Sequence, residues 1–160
     1  MVGPTLDAIM AAKAEAQADL IETPVLPLTS ARWDGILPDC AGATVKLELF
    51  QQAGSFKARG ALLGIRHLTA AQRAAGVVAA SGGNHALAVS WAAQAAGVDA
   101  LIMMPKATDP ARIAGCETLG ATVVLHDDMA AAFAAMNAAA EQGRALMHPF
   151  EAEHMILGAA

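Results

Sequence analysis

The sequence predicts an α/β fold, an open parallel sheet in three layers with strands alternating with helices. Three observations predict it. Gly76, Gly97, Gly120 and Gly143 recur at near-equal spacing, each closing a stretch of helix-forming residues. Glycine enters the left-handed region without steric cost and is the natural residue just past a helix end. Soon after each comes a short apolar run: Val77-Val78-Ala79-Ala80, Ala100-Leu101-Ile102-Met103-Met104, Ala121-Thr122-Val123-Val124-Leu125 and Arg144-Ala145-Leu146-Met147. These runs lack alternation, the pattern of strands buried on both faces. The helices between them carry start signals. Thr69 with Gln72 fits a capping box, and Asp109-Pro110 fits an N-cap followed by proline at the first helical position. A strand–helix unit repeated at this length implies parallel strands joined by right-handed crossovers.

In chain order, a helix is expected over Leu6 to Ile21. Thr23-Pro24-Val25-Leu26-Pro27-Leu28 is extended because of its prolines. Ala31 to Ala43 is loop-like, and Thr44-Val45-Lys46-Leu47-Glu48-Leu49 alternates as a strand does. Two short strands and one helix cannot bury themselves, so this first segment wants a partner sheet. Residues 55–150 form the four-stranded α/β unit. After Asp128, the residues Met129, Phe133, Met136 and Ala140 share one helical face.

Composition narrows the function. At 16.2 kDa the chain can bury about two thirds of its unfolded surface, enough for one real core. Apolar residues are 56% and charged residues 16%, which excludes intrinsic disorder. About a quarter of the residues are alanine, which suits helices packed closely on a sheet. A net charge of −5 argues against a nucleic-acid partner. Cys40 and Cys116 lack metal-ligand or disulfide spacing and are expected to be small buried hydrophobes. No apolar run reaches the ~18 residues of a membrane span, and no signal-peptide pattern opens the chain, so a cytoplasmic location is expected.

Two loops carry the chemistry. The first is Gln51-Gln52-Ala53-Gly54-Ser55-Phe56-Lys57-Ala58-Arg59-Gly60-Ala61, and the second is Ala80-Ser81-Gly82-Gly83-Asn84-His85-Ala86, directly after a strand. Ligands of open α/β sheets bind at the carboxyl ends of strands. Free N–H groups at a helix start favour an anion there, and glycines let it approach the backbone. The phosphate-loop pattern GxxxxGK[ST] is absent from both. Either loop alone reads as a solvated lysine or as a turn with an N-cap.

Together and in this order, the loops resemble fold-type II pyridoxal-phosphate enzymes of the serine/threonine dehydratase-like group. The match takes in Thr23-Pro24-Val25, Glu48, Gln51, Gly54 to Ala61 and Ala80 to Ala86. It continues through Met103-Met104-Pro105, Leu119 to Val123, His148-Pro149-Phe150 and Ile156-Leu157-Gly158. Ala53 departs from it, since a threonine is common there. Lys57 followed by Ala58-Arg59-Gly60-Ala61 resembles the dehydratase branch more than its cysteine-synthase or tryptophan-synthase relatives, with threonine-synthase-like members next closest.

The resemblance implies pyridoxal 5'-phosphate as cofactor and Lys57 as the residue that forms the internal aldimine with it. Partial burial would make this amine a nucleophile and a base. It implies further that Phe56 packs beside the cofactor ring and that Asn84 hydrogen-bonds the ring's 3'-oxygen. Ser81, Gly83, Asn84 and His85 would hold the substrate carboxylate. It divides the chain into residues 1–54, part of a large domain; residues 55–155, a small α/β domain; and residues 156–160, the return to the large domain. The phosphate-cupping loop, the partner of the pyridine nitrogen and the cation site would lie beyond Ala160, so the chain resembles the N-terminal half of such an enzyme. The implied activity is ammonia-lyase (dehydratase) chemistry on a small hydroxy-amino acid such as L-threonine or L-serine, in a homo-oligomer, with no metal ligated by these residues. A threonine-synthase-like or other β-replacement enzyme, and a non-catalytic module binding a small acid, stand as alternatives. In serine-racemase relatives a serine hydroxyl supplies a second base from the position that is Gly82 here.

Overall fold

A computed structural model describes residues 3–28, 42–150 and 152–160. Helix α1 covers Leu6–Ala16, and strands β1 (Val25–Pro27) and β2 (Thr44–Lys46) pair antiparallel. Helix α2 (Lys57–Arg66) and the short α3 (Ala70–Ala75) precede the main sheet. That sheet alternates β3 (Val77–Ala80), α4 (Asn84–Ala96), β4 (Ala100–Pro105), α5 (Pro110–Thr118), β5 (Thr122–His126), α6 (Met129–Glu141) and β6 (Ala145–Leu146), and α7 (Glu153–Ala159) follows. The four strands are parallel in the order β5-β4-β3-β6.

Side-chain alternation builds the layers. Val77 and Ala79 of β3, with Ala100, Ile102 and Met104 of β4, face a core completed by α4, by Cys116 of α5 and by Ala61 and Ile65 of α2. Val78 and Ala80, with Leu101 and Met103, face Ala132 and Met136 of α6. The sheet is thus covered on both sides. After β5 the chain passes back across β4 and β3 to reach β6, which puts α6 on the face opposite α4 and α5.

The local signals act as expected. Gly76, Gly97, Gly120 and Gly143 have φ of 78°, 64°, 80° and 109°. Thr69 and Gln72 form the reciprocal capping box, and the Asp109 side chain accepts from the Ala111 N–H. Cys116 is fully buried. Cys40 and most of the predicted Ala31–Ala43 loop lie outside the described residues. Among the described residues no helix is long and apolar enough to cross a membrane, and no cluster of metal-ligating side chains occurs.

Several expectations are corrected. Helix α1 ends at Ala16 rather than Ile21, because the Gln51 side chain takes both the N–H and the carbonyl of Ile21, at 2.9 and 2.8 Å. The Thr44–Leu49 strand stops at Lys46. Residues Glu48–Phe50 form a 3₁₀ turn because Glu48 is drawn to Arg59, whose Nε and Nη2 each donate to it at 2.7 Å. Strand β5 is an edge strand with Val124 and Leu125 exposed, so burial on both faces holds for β3 but not for β5. Met129 starts α6 exposed, and the buried stripe runs instead through Ala132, Phe133, Met136 and Ala140. The last strand is also shorter than expected, with only Ala145 and Leu146 pairing to β3.

Of the first segment, one face of α1 packs against helices. Ala12 and Ala16 of α1 pack on Leu62 and Leu63 of α2, with Leu157 of α7 beside them. The crossing of α2 with α7 depends on glycine at Gly60 and Gly158. A Cβ on Gly158 would collide with the backbone of Gly60. Strands β1 and β2 keep every residue exposed.

Candidate active site

Strands β3 and β6 are neighbours, yet they are the first and last strands of the sheet in chain order. Such a reversal of strand order opens a crevice at the carboxyl ends of the strands. The Ser81–Gly83 loop leaves β3 there, and the Met147–Phe150 segment leaves β6 beside it. Lys57 is the first residue of α2, and its Nζ donates to the Pro149 carbonyl at 2.7 Å. The same Nζ lies 5.4 Å from the centre of the Phe56 ring and 5.1 Å from that of Phe150. The His148 ring contacts both Phe133 and Phe150, which ties this segment to α6.

Burial pulls the Lys57 pKa below the ordinary lysine range. The carbonyl and the two aromatic faces favour the ammonium, but the net direction is downward, toward an amine available as a nucleophile. Its mount is rigid. Arg59, one half-turn along α2, grips Glu48, and the Arg59 hydrogen bond is the main force holding the Glu48 carboxyl below its usual pKa. Thr23 Oγ1 donates to the same carboxylate. Glu48 and Gln51 thereby lock the turn that leads into Ser55, Phe56 and Lys57.

The second loop sits at the start of α4. Ser81 Oγ accepts from the Gly83 N–H at 3.1 Å, which curls the loop back on itself. Gly83 is the N-cap of α4 and provides no capping side chain, so the first N–H groups of the helix remain available to an anion. Asn84 is exposed, and its Oδ1 accepts from Arg112 Nη1 of α5 at 2.9 Å. His85 is buried, and its Nε2 donates to the Met147 carbonyl at 2.9 Å. Burial pushes the His85 pKa down to about 4, so the ring is neutral with its proton on Nε2. His85 therefore joins the Ser81–Gly83 loop to the segment that holds Lys57. Its Nε2 is committed to a backbone carbonyl, while its Nδ1 is buried without a protein partner.

The residues expected from sequence stand at two helix starts that are joined through the segment after β6. Lys57 and Phe56 stand at the α2 start, while Ser81, Gly83, Asn84 and His85 stand at the α4 start. Sequence reasoning gave no role to Pro149, Phe150, Met147 or Arg112. A hollow of about 420 Å³ beside Lys57 is lined by Pro149, Phe150, Met155 and Ile156. A larger groove of about 740 Å³ runs between α1 and α2 past Phe56, Arg59 and Leu157. Lys57 lines the smaller hollow and Phe56 the larger groove, while the α4 loop lines neither of them.

A family model for pyridoxal-phosphate dependent enzymes matches residues 19–160. The chain belongs to that family. Among the relatives of this pyridoxal-phosphate enzyme is phenylserine dehydratase from Ralstonia pickettii, 40% identical over 98% of the chain and 47% of the relative. Maize serine racemase superposes with a TM-score of 0.85 at 30% identity, covering 98% of this chain and 47% of that one. The T.th. threonine deaminase superposes with a TM-score of 0.80 at 37% identity, over 97% of this chain and 48% of that one. The chain spans about half the length of the curated relatives it matches.

The residues present fit pyridoxal phosphate. The amine of Lys57 has a lowered pKa, and the buried Ser55 Oγ, two residues earlier, lacks a protein partner. The Ser81-Gly82-Gly83 turn leaves open backbone at a helix N-terminus. This donor set suits an aldehyde-bearing anion.

Proposed function

We propose that the chain carries the lysine and the substrate loop of an ammonia-lyase acting on a hydroxy-amino acid such as L-threonine or L-serine. The observation that carries this reading is that Lys57, with its depressed pKa, and His85 at the α4 start both hydrogen-bond the Met147–Pro149 segment that leaves β6 beside β3. Pyridoxal phosphate, when bound, supplies the sink for negative charge at the substrate α-carbon. The α4 N-terminus and Ser81 take the substrate carboxylate. Lys57 Nζ takes the α-proton. The β-hydroxyl leaves as water, hydrolysis returns one water, and the products are a 2-oxo acid and ammonia.

Racemisation needs a second base on the opposite face of the α-carbon. The position expected to supply it is Gly82, which has no side chain. A Cβ at Gly82 would lie 2.6 Å from Thr108 Oγ1, so Thr108 occupies the space a side chain there would need. In the full-length protein supplied with L-serine and L-threonine, 2-oxo acid release should exceed D-amino acid formation by at least about a hundredfold. Racemisation as fast as elimination would overturn this part of the reading. Gly82→Ser combined with Thr108→Ala, which makes the room, should raise D-serine output above that of Gly82→Ser alone.

A further inference from the structure

The bond between Arg112 and Asn84 decides which atom of the Asn84 amide faces outward. A guanidinium has five N–H donors and no acceptor. The Asn84 atom 2.9 Å from Arg112 Nη1 is therefore the carbonyl oxygen, and the NH₂ group must point elsewhere. Among the described residues Asn84 Nδ2 makes no hydrogen bond, although Asn84 stands at the first turn of α4 beside the Ser81–Gly83 turn. Arg112 is itself well placed to keep this orientation. Its helix α5 starts at the Asp109 cap, and α5 packs closely on α4, where a Cβ on Gly115 would come within 2.9 Å of Leu87 Cδ2. Arg112 Nη1 also lies 3.9 Å from where a Gly83 Cβ would stand, at the edge of the loop.

We propose that Arg112 is a positioning residue that holds the Asn84 amide oxygen and so fixes Asn84 as a hydrogen-bond donor to an electron-rich oxygen of the bound cofactor. The inference rests on the reading above, in which this loop faces pyridoxal phosphate. It assigns a role to a side chain whose contact in the structure is with Asn84. An asparagine free to rotate would offer either its oxygen or its NH₂ group. With the guanidinium in place the oxygen is taken, and the positive charge polarises the amide so that Nδ2–H is a stronger donor.

Two substitutions invert the polarity without removing the contact. Asn84→Asp keeps the bond to Arg112, now as an ion pair, but leaves only acceptor atoms facing the crevice. Arg112→Glu offers an acceptor, which turns the Asn84 NH₂ group toward α5 and its oxygen toward the cofactor. The test titrates full-length protein with pyridoxal phosphate, following its dissociation constant and visible absorbance, with thermal melting measured in parallel. Each variant should weaken cofactor binding by about tenfold or more and shift the visible band, and the double variant should do no worse than the two effects added. Arg112→Lys, which restores a donor, should recover most of the binding. Melting temperatures should stay within about 2 °C, since the pair faces solvent. A link that merely ties α4 to α5 would leave Asn84→Asp binding the cofactor as the parent does, and that result overturns the proposal. Should Arg112→Glu fail to fold, Arg112→Ala decides, since it frees the Asn84 amide to rotate, and cofactor bound by it as by the parent overturns the proposal. Cofactor bound with an unchanged visible band in Lys57→Ala would instead overturn the reading of the site itself.

Discussion

Lys57→Ala is expected to lower 2-oxo acid formation by at least about a thousandfold, because in the proposed function one amine acts as both nucleophile and base. Lys57→Arg should be as inactive for a different reason. It retains a cation that the Pro149 carbonyl and the Phe56 and Phe150 rings can hold, and so retains the local packing. A guanidinium, however, is never neutral near pH 7 and cannot take a proton from the substrate. Comparing the two variants separates chemistry from architecture. Steady-state rates of 2-oxo acid release, with melting curves as the control, provide the check. Turnover by Lys57→Arg within tenfold of the parent would show that the base lies elsewhere.

The second large effect is on stability in acid. His85 titrates near 4 in the fold and near its ordinary 6.5 when unfolded. Between these values the unfolded chain binds a proton that the native chain refuses. The stability contributed by neutral His85 is complete above pH 6.5 and is lost as pH falls toward 4, by about 3 kcal/mol in all. Burial is the main cause, and the positive field of Lys57 adds to it. His154, whose Nε2 is buried without a partner and whose pKa burial also lowers, contributes in the same direction. Chemical denaturation across that window should show a steep slope that flattens in His85→Asn, leaving the share due to His154. An unchanged slope in His85→Asn would show that the buried imidazole is not the titrating group. Because the His85 ring joins Met147 to the start of α4, the same acid transition should loosen the seat of Lys57.

The parallel sheet was legible because its punctuation is local. A glycine at positive φ and a cap with the right partner three residues on are properties of a few neighbouring residues, and they hold at Gly76, Gly97 and Thr69. Boundaries set by distant residues were not legible. Nothing near Ile21 announces that Gln51 will claim its backbone, and nothing in the alternation of Thr44 to Leu49 announces that Arg59 will take Glu48 out of the strand. Strand β5 looked buried because an apolar run does not say whether a neighbouring strand covers its far edge.

The site divides in the same way. Lys57 and the Ser81–His85 loop stood out because the two loops in this order resemble one family's motifs, whereas either loop alone is ordinary in sequence. The Pro149 carbonyl did not, since a backbone acceptor has no residue signature, although His148-Pro149-Phe150 was part of the motif match. Arg112 reads in sequence as one more basic residue on a helix, and its meaning comes only from the 2.9 Å contact with Asn84.

Lys57 is proposed as the amine that engages the cofactor. The other lysines on described elements are placed differently. Lys46 Nζ donates to the Thr23 carbonyl and lies 3.8 Å from Glu48, Lys106 pairs with Asp127 at 2.6 Å, and Lys13 lies on α1 at the larger groove. The direct measurement is to load full-length protein with pyridoxal phosphate, reduce it with borohydride, digest it and locate the pyridoxyl group by mass spectrometry. One dominant label is expected, on the peptide containing Lys57, and it should be lost in Lys57→Ala. A dominant label on Lys13, Lys46 or Lys106 would contradict it.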